Sequence, residues 1–215
     1  ERHDRRDLMK LFNYQKISEY DLRDAIDSGF LVGIEYHGLT DDIDYSKIRY
    51  NGNKYNVDDL DKALNIKSRN EAILEKYNEY IHGDKAIGFC VSIDHANKMA
   101  KLFNDNGVSA VAIHSNSNNG PTRKNSEDLI NDFKDNEYSV AFVVDMFNEG
   151  TDIKNTRGLM FLRPTESKTI FIQQLGRGLR ISDGKEKIIV LDFIGNYKKA
   201  GSVQGWLGKP YGKEK

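Results

Sequence analysis

One cysteine in 215 residues excludes an internal disulfide and a cysteine-rich metal site, and Cys90 lies in the apolar stretch "KAIGFCVSI", where it reads as core filling. The five histidines, His3, His37, His82, His95 and His114, lack the i, i+4 spacing of helical metal ligands, so no zinc site is expected. No apolar run reaches the length of a membrane span, and no apolar stretch behind a basic start resembles a signal peptide. No membrane partner is therefore expected, and a cytoplasmic location is the default. An excess of one charge is missing too: 32 Lys plus Arg face 33 Asp plus Glu, for a net charge of -1. Any polyanion must then be met by a local cluster rather than by a global basic field.

What is present suits a soluble globular chain with one substantial core, at 38% hydrophobic and 30% charged residues. Residues 84 to 194 alternate short β-branched apolar runs with amphipathic stretches of helix length. "KAIGFCVSI" leads to the helix pattern "DHANKMAKLFNDNG", with Asp94 expected as N-cap and Gly107 as the stop. The strand "VSAVAIH", a polar loop and the helix "SEDLINDFKDN" come next, then the strands "YSVAFVV" and "TRGLMFL", the helix "SKTIFIQQLGRGLR" and a last strand, "EKIIVLDFI". Strands without polar alternation, separated by helices, predict a mainly parallel sheet in a three-layer α/β/α domain.

Residues 17 to 83 read differently. A helix, "SEYDLRDAIDSG", capped by Ser18 or Asp21 and stopped at Gly29, precedes the strand "FLVGIEYHGL"; two further helices, "NVDDLDKALN" and "SRNEAILEKYNEYIHG", form a helical insertion before the main sheet. The Gly- and Lys-rich stretch 196 to 215 reads as a flexible tail.

Ligands of open parallel sheets bind beyond the carboxyl ends of the strands. There the sequence sets Ser92, Asp94 and His95, then Ser115, Asn116 and Ser117, then "DMFNEGTDI", then "RPTES", a rim suited to phosphate oxygens. Each of these residues could equally be a cap or a turn. In "FIQQLGRGLRI", Arg177 and Arg180 stand three apart and share a helix face with Gln173. Gly176 and Gly178 each weaken the helix by about 1 kcal/mol relative to Ala and suggest a close approach. The local chemistry leaves two readings open: a solvated helix end that complements the dipole, or a guanidinium pair aimed at a triphosphate.

"FIQQLGRGLR" resembles motif VI, Q-x-x-G-R-x-x-R, of superfamily 2 helicases. "VVDMFNEGTDIKNT" is similar to their motif V, and "AIGFCVSIDHANKMAKLFN" to motif IV, in matching order over residues 84 to 194. "ERHDRRDLMKLFN" is similar to the segment just after the first motor domain in the restriction-enzyme-like branch, which includes the type III restriction helicases. One departure is Val144 before Asp145, where many members carry Thr; it removes one hydroxyl contact. No G-x-x-x-x-G-K-[ST] loop and no magnesium-binding D-E-x-[HD] stretch occurs.

The resemblance implies a RecA-like second motor domain, separated from the N-terminal motor domain of the same polypeptide and unable to hydrolyse ATP alone. It implies a linker over 1 to 16, the early strand and insertion over 17 to 83 and the core over 84 to 195. Arg177 and Arg180 would be arginine fingers; Gly150, Asp152 and Gln173 would lie at the nucleotide. Ser92, His114, Ser115, Arg163 and Thr165 would hold nucleic-acid phosphates, with DNA, single- or double-stranded, the expected partner. ATP and Mg2+ would be held mainly by the missing domain. The alternative is a non-catalytic nucleic-acid-binding or interaction module with the same fold.

Overall fold

Six strands form one all-parallel sheet in the computed structural model, which describes residues 22–39, 43–51, 55–115, 124–145, 153, 155–165 and 168–194. In chain order the elements are α1 (Leu22–Asp27), β1 (Gly33–Gly38), a 3-10 turn (Tyr45–Lys47), α2 (Val57–Leu64), α3 (Lys67–Tyr80), β2 (Ala86–Phe89) and α4 (Ile93–Asp105). Next along the chain are β3 (Ala110–Ile113), α5 (Ser126–Lys134), β4 (Val140–Val143), β5 (Gly158–Phe161), α6 (Lys168–Gly178) and β6 (Lys187–Asp192). The strand order is β1-β6-β5-β2-β4-β3.

Parallel neighbours need crossovers, and right-handed crossovers fix which face each helix covers. The chain moves one way across the sheet from β1 to β2 and from β2 to β3, so α3 and α4 fall on one face. It moves back from β3 to β4 and from β5 to β6, which puts α5 and α6 on the other. The side chains sort accordingly. Ile87, Phe89, Ala141, Val143, Leu159, Phe161, Ile188 and Val190 pack with Leu129 and Phe133 of α5 and Phe171 and Leu175 of α6. Their strand neighbours Ala86, Val140, Phe142, Met160 and Leu191 pack with Ile73 and Tyr77 of α3 and Met99 and Phe103 of α4. With both faces covered, β2, β4 and β5 are buried at every position, which is why their sequences show no polar alternation. The fold is thus the RecA-like three-layer α/β/α arrangement expected from the sequence.

Gly29 and Gly107 end their helices at φ 73° and 80° as expected. The cap of α4 differs: Ser92, in extended backbone, accepts the His95 N–H at 3.0 Å, while Asp94 lies in the first turn and pairs with Lys98 at 2.7 Å. A side chain caps by reaching a donor two or three residues ahead, and Ser92 is the residue at that offset. A smaller apolar cluster joins Ile48, Leu60 and Leu64 to Val91, directly after β2, with Ile194 after β6 packed against it. The segment holding the 3-10 turn and α2 therefore covers part of the sheet's carboxyl edge.

Candidate nucleotide cleft and nucleic-acid rim

Helix α6 is buried along most of its described length, with Ile172, Gln173 and Gly176 half-buried. Phe171 and Leu175, and Leu179 just past the helix, are fully buried, and Phe171 stacks on Phe161 at 4.8 Å between ring centroids. A Cβ on Gly178 would meet Ile188 Cδ1 at 2.8 Å and Leu159 Cδ1 at 3.0 Å, so here the helix needs glycine to lie on the sheet. A Cβ on Gly176 would meet nothing within 4 Å. The close approach expected at both glycines is thus found at Gly178, and it is the sheet that approaches.

The arginine pair also departs from the expected shared face. The helix ends at Gly178, whose carbonyl accepts from Lys185 Nζ at 2.5 Å, and the next carbonyl, that of Leu179, accepts the Val32 N–H at 2.9 Å. These bonds draw the chain toward β6 and β1, so the position of Arg180 is set by the chain beyond the helix rather than by its i, i+3 spacing. Arg177 is 8% exposed, whereas Arg180 is exposed to solvent. Burial, with the Arg157 charge as a lesser cause, pushes the Lys185 amine down to about 8. Gln173 is half-buried and Gln174 is buried; neither side-chain oxygen accepts a hydrogen bond among the described residues.

At the rim, strand ends bring some of the expected residues together and withdraw others. Ser92 Oγ, besides capping α4, donates to the Asp61 carboxylate of α2. Asn65 Nδ2 extends this junction to Asp94 at 2.8 Å. Its acids make the junction a poor neighbour for phosphate. His95 is fully buried, and burial, together with the weaker effect of the Arg69 charge, pushes its pKa down to about 3, so the ring is neutral. His114 is buried at the end of β3, its pKa lowered by burial, and Ser115 beside it is exposed. Arg163, two residues past β5, pairs with Asp145, two past β4, at 2.9 Å; Thr165 is half-buried nearby in sequence. Gly150 and Asp152 lie outside the described residues.

Three residues were missed by sequence reading. Arg69 on α3 is buried and donates to the Leu64 and Leu162 carbonyls, both at 3.3 Å, tying α3 to the end of β5. Its i, i+4 alignment with Ile73 and Tyr77 on the buried stripe was a usable signal. Asp61 and Lys185 carried none, being single charges among many. Burial pushes the Cys90 thiol pKa up, as befits core filling. Among the described residues no group of three or more His, Cys, Asp or Glu could hold a metal ion, and no helix is long and apolar enough to cross a membrane.

The open all-parallel sheet with helices on both faces is a RecA-like three-layer α/β/α domain. More particularly, residues 68–182 match the helicase conserved C-terminal domain, more than half of the chain, and the chain belongs to that family. It is 29% identical over 178 residues to IRC3 of Saccharomyces cerevisiae, named as a candidate ATP-dependent helicase, a match covering 80% of this chain and 25% of that protein. It is 26% identical over 208 residues to the type I restriction enzyme EcoAI endonuclease subunit of Escherichia coli, covering 81% of this chain and 24% of that one. The chain thus spans about a quarter of the length of these curated relatives. A fragment of a candidate HsdR subunit of a type I restriction enzyme from Vibrio vulnificus YJ016 superposes with a TM-score of 0.73 at 22% identity, over 97% of this chain and 41% of that one.

Proposed function

We propose that the chain is the second motor domain of an ATP-dependent superfamily 2 helicase or DNA translocase, supplying arginine fingers and nucleic-acid backbone contacts, and inactive alone. The observation that carries this reading is the exposed Arg180, placed directly after a helix end anchored to the sheet by Gly178, Leu179 and Lys185. A guanidinium on a rigid mount can meet a phosphoryl group supplied by a second domain at little reorganisation cost, stabilising charge as the terminal phosphoryl group leaves. Arg177, largely buried, would complete the pair from within the helix. Gln173, Gly150 and Asp152 would line the nucleotide side.

Arg163 and Ser115 would meet strand phosphates without reading bases, as sequence-independent tracking requires. The His114 side chain and the Thr165 hydroxyl oxygen are buried and the Ser92 hydroxyl is given to Asp61, so these three would contribute only after local rearrangement. ATP and Mg2+ would be held mainly by the N-terminal motor domain. Closure of the two domains around ATP would convert differential affinity for DNA into steps.

The test is steady-state ATP hydrolysis by this chain alone and by the same chain joined to its N-terminal motor domain, each with and without DNA. Activity is expected only in the joined protein, stimulated by DNA. Hydrolysis by the chain alone, or sub-micromolar ATP binding by it, would overturn the half-motor reading.

A further inference from the structure

Arg163 and Asp145 come from the ends of β5 and β4, two strands separated by β2, yet Arg163 Nη2 stands 2.9 Å from Asp145 Oδ1. The pair is unequal. The arginine side chain is 17% exposed and the aspartate 73%, so the guanidinium is set into the rim while the carboxylate meets it from the solvent side. Asp145 adopts φ 50°, a left-handed conformation that Asp and Asn tolerate better than most residues. A carboxylate and a phosphodiester present a guanidinium with the same object, a pair of anionic oxygens matching its planar fork.

On the rim reading above, on which this inference rests, we propose that Asp145 stands in for a strand phosphate: its carboxylate occupies the Arg163 guanidinium in the free chain and yields it when nucleic acid binds. Asp145 thereby sets the affinity of the rim. The exchange is easy because the Asp145 carboxylate is 73% exposed, and an ion pair with a solvated partner contributes little and is screened by salt. It also fits a tracking protein, which must release each phosphate it grips.

The test is a double-mutant cycle on the 215-residue chain, read by fluorescence anisotropy with a labelled oligothymidylate over a salt series. Asp145→Asn keeps the shape and the tolerance of φ 50° while removing the charge. It is expected to bind about 2- to 5-fold tighter, the size of an exposed ion-pair coupling. The log–log salt slope should steepen by up to about 0.7, the share of one single-strand phosphate. In the Arg163→Gln background the same substitution should bring no gain. Unchanged or weaker binding by Asp145→Asn overturns the proposal, as does an equal gain with and without Arg163, which would be bulk charge. Arg163→Gln binding as tightly as wild type would instead refute the phosphate role of Arg163 itself, whatever Asp145→Asn does. Thermal melts of all four proteins establish that each is folded.

Discussion

Two glycines two residues apart should answer the same substitution with opposite signs. At Gly178 a new Cβ would lie 2.8 Å from Ile188 Cδ1, 3.0 Å from Ile188 Cγ1 and 3.0 Å from Leu159 Cδ1, and both neighbours are fully buried. Overpacking of that kind costs about 1 to 3 kcal/mol, against a helix-propensity gain of under about 1 kcal/mol at a terminal position. Gly178→Ala should therefore lose about 1 to 2 kcal/mol, or about 2 to 8 °C in melting temperature for a chain of this size. At Gly176 nothing lies within 4 Å, so only the propensity gain remains and Gly176→Ala should add about 0.5 to 1 kcal/mol. Urea and thermal unfolding of the chain measure both. Shifts of the same sign at the two positions would refute the account of how α6 lies on the sheet.

Phe171→Ala, removing a fully buried ring stacked on Phe161, should cost about 3 to 5 kcal/mol in urea unfolding. Ser92→Ala removes both the α4 cap and the bond to Asp61 and should cost about 1 to 2 kcal/mol, measured in the same way. The Lys185 amine has a folded pKa of about 8, below its ordinary 10.5, so between these values the unfolded chain holds more protons and stability rises with pH. Wild type should accordingly gain on Lys185→Met as pH climbs from about 8 to about 10.5, and a flat difference would contradict the burial of that charge. Binding of single strands by the wild-type chain should fall in the non-specific range of about 10⁻⁴ to 10⁻⁶ M and weaken with salt, as titrations at two ionic strengths would report.

The strands and most helices were legible because burial on both faces leaves a simple mark: the runs around Ile87, Phe142 and Met160 are apolar without alternation, and the stripes of α4 and α5 repeat at helical spacing. The end of α6 was not legible. Its residues continue a helical pattern through Arg180, and what stops the helix is tertiary: the fit of Gly178 against Ile188, the Lys185 cap and the Val32 hydrogen bond, each made by residues outside the helix. The rim was half legible. Arg163 and Ser115 stand at strand ends, as the alternation of elements implied, but the burial of His114 and the hold of Asp61 on Ser92 come from tertiary packing, the latter from α2 lying over the carboxyl edge. A charge pattern in one segment does not announce which distant hydroxyl it will meet.

The central claim is that the arginines at the end of α6 act by shape and reach rather than as charge at a helix end. It is tested most directly by DNA-stimulated ATP hydrolysis of the joined motor carrying Arg180→Lys, with the melting temperature taken on the same preparation. Lysine keeps the charge but not the planar fork. Because Arg180 is exposed, the account predicts an unchanged melting temperature and turnover at least about tenfold lower, the full contribution of such fingers being about 10³ to 10⁵. Arg177→Lys should lose turnover too, but with some loss of stability, since that residue is 8% exposed. Turnover like that of wild type in Arg180→Lys would contradict the account and leave Arg180 as a solvated charge beyond a helix end.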